Sequence, residues 1–537
     1  MKKLIFLGAA MLLLMATGCS HDENNNGTES LQKVQFSFTE EEFGADEALT
    51  RATSAAEAKP QTIDLGDCEA EISVESEPAV KTRATKPATG HYTIRAYQGG
   101  TLKGEMSGTF SAGKFIADAA SPQDLILDPG TYDFIAFGDG FTVSGNELIG
   151  TQDKADKALI GTTTATITPT PHKQTVNFTM KHVGCRLRTQ FICQKHIPED
   201  ITATLEETAA NTIPTSMTYN LLTQATSYTK GTMTPQPNNS PKSKEALYTA
   251  SAYGKNYSYT STSDYHYFFP DTEASKLKLT GISAGTVFWK PINFAISQLN
   301  ASLQMQAGKS YCVKIKLTPK FHYLFSDGTA GTLSANPGKT PIGVVVKEKG
   351  GDPAYGIAMA LKEANNGYLA PWGGPGETWI NVPKYRWGGS YKQVSGYEIT
   401  WDAAATYNND IKATIPGYSG FYHAAHYNPG VGVTGSNVGK WFLPCGMESY
   451  YTIVNLYFNN VSNPPSAYEN VPGYGCFLEK ALTDVGGSYY PTGRTYMLAS
   501  EEKDGEFQTY AIGRERFYHS AGIKSLHPAY IRAFVRF

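Results

Sequence analysis

The sequence has few of the residue patterns that carry metal, redox or nucleic-acid chemistry. Its 537 residues include seven cysteines, and none of them forms a CxxC pair or a cysteine/histidine cluster with metal-ligand spacing. This argues against a structural zinc site and against thioredoxin-like chemistry. The chain has 46 lysines and arginines and 49 aspartates and glutamates, a net charge of −3. No charge excess therefore attracts nucleic acid or an anionic membrane surface.

Catalytic motifs are also scarce. A P-loop pattern is absent, and the remaining candidates lack partners. His423 and His426 have HxxH spacing without the glutamate of HExxH or a third ligand nearby, so we interpret them as loop or strand residues. Glu501 and Glu502 are adjacent in a predicted loop and do not form the facing pair that glycoside hydrolysis needs. We therefore predict no enzymatic activity, no cofactor and no metal.

One long apolar run is present, at the start of the chain. It extends from Leu4 to Met15 behind two lysines and is too short to cross a bilayer core of roughly 30 Å, so it is typical of an export signal. The small residues before Cys19 resemble the lipobox of bacterial lipoproteins, which predicts a signal peptide over residues 1–18 and acylation of Cys19. An ordinary signal peptide is the alternative. The polar stretch that follows predicts a flexible tether.

Most of the remaining chain is typical of β-structure. Glycine, proline and tyrosine are abundant, with 52, 29 and 33 residues, whereas helical patterns are few. Alternating apolar residues predict antiparallel strands that bury one face, in the segments KVQFSF (from Lys33), HYTIRAY (from His91), TYDFIAF (from Thr131), VGCRLRTQFIC (from Val183) and SYCVKIKLTP (from Ser310). Residues 225–265 are polar and predict surface loops or edge strands. Outside Cys19, we expect the cysteines to be buried thiols.

The pattern changes at the glycine- and proline-rich segment 329–341. Beyond it, two segments have helical periodicity: PAYGIAMALKEANNG and GMESYYTIVNLYFNN. Five of the six tryptophans also lie here. Four aromatic residues interleaved with glycines form a candidate ligand platform for sugar rings or for a protein partner, namely Trp372, Trp379, Trp387 and Tyr391. The alternative is that these aromatics fill a small core.

Residues from about 20 to 320 resemble the fimbrillin family, the subunits and accessory proteins of type V pili. The resemblance rests on a lipobox cysteine, the strand KVQFSF, and the segments LDPGTYDFIAF and QTVNFTMKHVGCRLRTQF. It implies two transthyretin-like antiparallel β-sandwiches. It also implies a precursor that is anchored by lipid to the outer membrane and cut by an arginine-specific protease. The first strand then leaves, and a strand of a neighbouring pilus subunit takes its place.

Two copies of the tetrapeptide TRAT provide candidate cleavage sites. The resemblance favours a cut between Arg51 and Ala52, which would release KVQFSF with the lipidated tether. A cut between Arg83 and Ala84 is the alternative and would also release CEAEISVES. Both arginines being ordinary solvated residues is a third possibility.

The C-terminal third resembles a C-type-lectin-like module. GKWFLPCGMESYYTIVNLYF is similar to that module's helix, TYMLASEE to one of its strands, and AYIRAFVRF to its closing strand. The calcium-binding triplets of sugar-binding C-type lectins are absent. The resemblance therefore implies an α+β adhesion domain that does not coordinate sugar through calcium.

The predicted organisation is a mainly β protein in five parts: residues 1–18 as signal peptide, 19–51 as tether and removable strand, 52–174 and 175–325 as two β-sandwiches, and 326–537 as the lectin-like domain. The closing strand looks internal and not free to be donated, so the resemblance implies a tip adhesin at the cell surface with a glycan or protein ligand. A permanently anchored surface lipoprotein that binds glycans is the rival hypothesis. A lipidated pilus anchor subunit is a further one.

Overall fold

A computed structural model provides the structure of this chain. It describes residues 32–44, 61–76, 85–193, 195–243, 259–288, 290–299, 303–351, 353–373, 395–405, 409–456, 471–472, 476–489, 495–503, 506–512, 516–523 and 528–537. Among these residues, no helix is long and apolar enough to span a bilayer.

The first part of the chain consists mainly of β-strands of 3 to 11 residues. In chain order they are β1 (Gln32–Glu41), β2 (Gln61–Asp64), β3 (Cys68–Ser76), β4 (Thr85–Pro87), β5 (Gly90–Gln98), β6 (Thr101–Ser111), β7 (Lys114–Ala117), β8 (Leu125–Leu127), β9 (Gly130–Gly138), β10 (Phe141–Ser144), β11 (Glu147–Thr151), β12 (Leu159–Ile167) and β13 (Lys173–His182).

The regular elements described in the middle of the chain are almost all β-strands. Its strands are β14 (Cys185–Cys193), β15 (Thr202–Glu207), β16 (Ile213–Asn220), β17 (Thr226–Gly231), β18 (Gln236–Pro237), β19 (Tyr259–Thr262), β20 (His266–Phe268), β21 (Leu277–Thr286), β22 (Pro291–Ile296) and β23 (Ser310–Pro319).

The last part of the chain mixes strands and short helices. The strands are β24 (His322–Phe325), β25 (Ala330–Thr332), β26 (Pro341–Lys347), β27 (Ile357–Ala360), β28 (Trp441–Phe442), β29 (Val471–Pro472), β30 (Thr495–Lys503), β31 (Glu506–Ile512), β32 (Arg516–Ile523) and β33 (Phe534–Arg536). The helices are α1 (Gly396–Trp401), α2 (Ser419–Ala425), α3 (Gly446–Leu456) and α4 (Cys476–Thr483).

These strands form several sheets, and the predicted mainly β fold class is confirmed. The largest sheet has the order β4-β1-β13-β12-β9-β5-β6-β7, with β8 also paired to β1. Six-stranded sheets have the orders β19-β14-β23-β3-β2, with β20 on β14, and β25-β24-β26-β27-β33-β28. Four-stranded sheets have the orders β10-β11-β16-β17, β18-β15-β21-β22 and β29-β32-β31-β30. Most pairs are antiparallel, although β14 and β23 are parallel.

The alternation of the sequence accounts for these strands. β14 alternates fully buried with partly exposed residues along its whole length, because successive side chains of a strand point to opposite faces. β17, in the polar segment 225–265, is an exposed edge strand. The predicted strand segments from HYTIRAY to SYCVKIKLTP lie in strands, except that Val183 and Gly184 form a bend before β14. Cys68, Cys185, Cys193, Cys312 and Cys445 are buried, as expected.

The chain divides into two compact units. Among described residues, the first unit contains 32–39, 87–136 and 161–179, and the second contains the rest. In the second unit one apolar cluster runs from the sheet of β14 and β23 to the helices α3 and α4. The ring of Phe477 in α4 lies 6.3 Å from the rings of Phe288 and Phe321. The C-terminal part is therefore packed onto the preceding sheet by shared core residues.

The helix predicted over PAYGIAMALKEANNG is wrong, because Ile357–Ala360 form the buried strand β27. Ile357 and Met359 pack into one apolar cluster, whereas Ala358 and Ala360 pack into a second on the opposite face of the sheet. A strand buried on both faces is apolar without a gap, and its sequence cannot be told from a buried helix by periodicity alone. The other predicted helix, α3, is confirmed. Glu501 and Glu502 lie in strand β30 and not in a loop.

Candidate functional site

The predicted site residues are described only in part. Cys19, Arg51, Ala52, Arg83, Ala84, Trp379, Trp387 and Tyr391 lie outside the described residues. Trp372 is described and is 0% exposed. Its ring packs edge-on against Phe421 and Tyr418, at centroid distances of 4.9 and 6.4 Å. Trp372 is therefore a core residue, and its burial excludes it from an exposed stacking surface.

Strand β1 contains the segment KVQFSF and is an internal part of the first unit. It lies between β4 and β13 in the largest sheet, and its residues alternate between buried and more exposed. Val34, Phe36 and Phe38 are the buried apolar residues of this strand. Backbone pairing with β8 fixes the register, with Val34 opposite Leu125. Removing β1 would therefore expose backbone hydrogen-bonding groups and open the core together.

The Phe38 ring is the centre of an aromatic cluster in the first unit. It stacks on Tyr92 and Phe178, with centroid distances of 4.9 and 5.2 Å, and lies 5.0 Å from the ring of Phe110. Tyr92 belongs to β5, which is not a hydrogen-bonded neighbour of β1. The sheet therefore folds into two layers, and β1 fills the space between them with its inward side chains.

Residues 40–44, the last two residues of β1 and the three that follow it, belong to the second unit and pack within it. The Phe43 ring stacks on the His182 ring at 3.8 Å, and the Arg186 guanidinium lies 4.6 Å from its centroid. The Gly44 amide donates to the Gly308 carbonyl oxygen at 2.9 Å, and its own carbonyl oxygen accepts from the Ser310 amide. We call residues Glu40–Gly44 the anchor segment.

A charge cluster accompanies this segment. Glu40 Oε1 lies 3.3 Å from Lys86 Nζ and 3.4 Å from His182 Nε2. The hydrogen bond from His182 and the charge of Lys86 lower the pKa of Glu40, although burial opposes them. Sequence reasoning missed the anchor segment because its residues, EEEFG, carry no periodic signal.

The hairpin β2–β3 belongs to a different sheet from β1. β3 pairs with β23 over its full length, from Cys68 opposite Pro319 to Ser76 opposite Tyr311. Ala70 and Ile72 are buried in the core of the second unit. In the sequence Arg51 stands before this hairpin and Arg83 stands after it. A cut at Arg51 therefore separates β1 alone, whereas a cut at Arg83 also separates β2 and β3 from the remaining chain.

The closing segment AYIRAFVRF supplies an internal strand. β33 pairs with β27 on one side and with β28 on the other. Phe534 and Val535 are fully buried in opposite clusters. This strand is fixed in the sheet from both sides and is not free for pairing with another chain.

The histidine pair is helical and not in a loop or strand, which corrects that prediction. His423 lies in α2 and His426 caps its C-terminal end, because the surrounding FYHAAH segment buries Phe421 and Ala424 on one side. Within the described residues, no group of three or more His, Cys, Asp or Glu side chains is placed to hold a metal ion.

Comparison with known proteins gives low similarities. No family model and no curated protein matches the sequence. A fimbrial protein from Bacteroides ovatus is 10% identical, with a TM-score of 0.24 over 94% of this chain and 100% of that chain. A fimbrial protein from Bacteroides vulgatus is 14% identical, with a TM-score of 0.28 over 42% of this chain and 90% of that chain. A candidate cell adhesion protein from Bacteroides uniformis is 12% identical, with a TM-score of 0.30 over 55% and 98% of the two chains. Scores this low do not assign a fold or a function.

Proposed function

We propose that this protein is a non-enzymatic pilus subunit of the fimbrillin type, most consistent with a tip adhesin, that is assembled by replacement of β1. The observation that carries the proposal is the position of β1, internal in its sheet and central to the aromatic core. Its precursor would be held in the outer membrane through acylated Cys19. An arginine-specific protease would then free β1, and a strand from a neighbouring subunit would fill the groove at the cell surface.

The energetics of β1 suit such an exchange. Burying Val34, Phe36 and Phe38 stabilises the first unit by roughly 1.5–3 kcal/mol for each side chain, and the ladder hydrogen bonds add about 1 kcal/mol each. A groove that has lost this strand binds an incoming strand with matching alternation through the same contacts. Strand addition would therefore restore most of the stability that strand removal takes away.

The geometry favours Arg51 over Arg83 as the cleavage point. A cut at Arg51 leaves β3 covalently connected to the sheet that it shares with β23. A cut at Arg83 frees β3 as well, and its loss would remove Ala70 and Ile72 from the core of the second unit. Strand exchange requires only that β1 is released and that the core of the first unit opens. We therefore propose that the cut lies between Arg51 and Ala52.

The paired state of β33 supports a terminal position in the fibre. A subunit that accepts a strand while β33 stays paired on both sides would not donate β33 to a neighbour, as expected of a subunit at the end of a fibre. An adhesive role follows from that position, with a glycan or a protein as the ligand of the C-terminal part. The lectin-like assignment of residues 326–537 stays a prediction.

Peptide uptake after cleavage tests this function. The purified chain is cut with an arginine-specific protease and incubated with a labelled peptide of residues 32–44. We expect uptake by the cut wild type and none by Arg51→Ala. A peptide carrying Phe38→Asp controls for sequence specificity and should not bind. Equal uptake by cut and uncut protein would contradict strand exchange and favour the permanently anchored surface lipoprotein.

A further inference from the structure

A polar cleft of about 550 Å³ lies in the C-terminal part of the second unit. Its lining residues are far from β1 in the sequence, and Trp372 is not one of them. One wall is the loop Lys362–Gly367, the other is formed by His423 and by residues 426–428, and Ser488 completes the lining. The volume falls within the range of roughly 300–1,000 Å³ that is usual for small-ligand sites.

The first wall has an unusual backbone. Asn365, Asn366 and Gly367 all have positive φ, at 57°, 53° and 80°. Left-handed conformations cost energy for residues with a side chain, and consecutive ones persist only where the surroundings fix them. This conformation places two asparagines side by side in the lining, and each amide group both donates and accepts hydrogen bonds.

A carboxylate in the lining is held in place from behind. Glu363 Oε1 accepts a hydrogen bond from Arg532 Nη2 at 2.8 Å, and Oε2 accepts one from the Ser488 hydroxyl. Arg532 is 1% exposed and also donates to the carbonyl oxygens of Ala360 and Ser488. An ionised carboxylate has about four lone-pair positions, so Glu363 keeps acceptor capacity in a fixed orientation.

The histidine wall is also oriented. The His426 ring stacks on Tyr422 at 4.1 Å, and His426 Nδ1 donates to the Tyr422 carbonyl oxygen at 2.8 Å. In the neutral ring the proton is therefore on Nδ1, and Nε2 is an acceptor. Burial and the neighbouring His426 lower the pKa of His423, which keeps that imidazole neutral at pH 7.

The lining thus combines planar amides, the Glu363 carboxylate fixed by its ion pair with Arg532, and the imidazoles of two histidines, and it contains one lysine, Lys362. Such groups recognise hydroxyls that donate and accept at once, whereas an anionic ligand would require an excess of positive charge. The adjacent Tyr368 is 72% exposed and provides an aromatic face beside the cleft.

We propose that this cleft binds a neutral carbohydrate, the terminal part of a glycan chain. The proposal deepens the adhesive function above and rests on it for its biological context, but the binding itself does not depend on strand exchange.

Binding of the full chain to immobilised oligosaccharides tests this inference, using neutral glycans that end in galactose, mannose, fucose or N-acetylglucosamine beside sialylated and sulfated ones. Asn366→Gly removes the amide and keeps the left-handed backbone. Asn409→Gly is a matched control, since Asn409 is also exposed with φ of 57° and lies outside the lining. Tyr368→Ala removes the aromatic face.

We expect wild type and Asn409→Gly to bind the same neutral glycan equally, and Asn366→Gly and Tyr368→Ala to bind it about ten-fold more weakly. Equal binding by all four proteins, binding of anionic glycans alone, or no glycan binding would overturn the proposal. Peptide uptake is measured on the same samples. Uptake without glycan binding would remove this inference and leave the proposed function standing, whereas glycan binding without uptake would do the reverse.

Discussion

At the residue scale, Phe38 is the side chain of β1 on which the first unit depends most. It stacks on aromatic rings from two other strands, so truncation leaves a cavity between them. We expect Phe38→Ala to lower the free energy of unfolding by about 3–5 kcal/mol, measured by denaturant titration of the uncut chain. The control Gln35→Ala changes an exposed residue of the same strand and should change stability by less than about 0.5 kcal/mol. Equal effects of the two substitutions would contradict the central position of Phe38.

Glu448 gives the second unit a pH dependence at the residue scale. Its carboxylate accepts hydrogen bonds from the amides of Cys445 and Gly396, at 2.8 and 3.1 Å. Burial nevertheless raises the pKa of Glu448 to about 7 from its ordinary 4.5. The folded state binds this proton more tightly than the unfolded state, so the resulting stability is fully present below pH 4.5 and is lost as pH rises through 7.

We predict that Glu448→Gln flattens this dependence. Glutamine keeps an oxygen for the two amides but cannot ionise. Between about pH 4.5 and 7 the wild type should lose ~3 kcal/mol more of its free energy of unfolding than the variant. Urea unfolding at several pH values measures the difference, and parallel curves would show that Glu448 does not titrate in this way.

At the element scale, we expect the anchor segment to slow the departure of β1 after the proposed cleavage. Phe43 lies against the His182 ring and the Arg186 guanidinium. These contacts would be lost when the strand departs. We expect Phe43→Ala to speed release of the cut segment by about ten-fold, measured by size-exclusion chromatography and mass spectrometry after cutting at Arg51. Gln35→Ala changes an exposed residue of β1 outside the anchor segment; it is the control and should release at the wild-type rate. A Phe43→Ala rate equal to that of this control would show that the anchor segment does not retain the strand.

Sequence patterns predicted elements unevenly, and the reason is burial. Half-buried strands such as β5 and β14 have polar residues on one face, so their alternation is visible in the sequence. β27 is buried on both faces and loses that alternation, which is why IAMA was predicted as a helix. The short helix α2 buries Phe421 and Ala424 but has too few turns for its periodicity to stand out.

The site was also predictable only in part. The strand KVQFSF could be recognised from Val34, Phe36 and Phe38, whose spacing determines the buried face. The contacts of Phe43 and the cleft around Asn366 are formed by segments that are far apart in the sequence. A local sequence pattern does not predict such long-range contacts. Trp372 shows the reverse case, since a tryptophan among glycines is compatible with exposure or burial until its packing against Phe421 is known.

At the scale of the whole molecule, the two candidate arginines predict different mature proteins. After a cut at Arg51, the β2–β3 hairpin stays covalently connected to the chain that contains β23. After a cut at Arg83, the hairpin is no longer connected to that chain. We predict that Arg83→Ala leaves maturation unchanged, while Arg51→Ala blocks it, as judged by the size of the surface-exposed protein. Loss of processing in Arg83→Ala with normal processing in Arg51→Ala would reverse the assignment.

The most direct test of the proposed release of β1 is the N-terminal sequence of the mature protein isolated from the cell surface. The account predicts a start at Ala52, with β1 absent and its groove occupied by another strand. A blocked, acylated N-terminus at Cys19 with β1 still attached would contradict it.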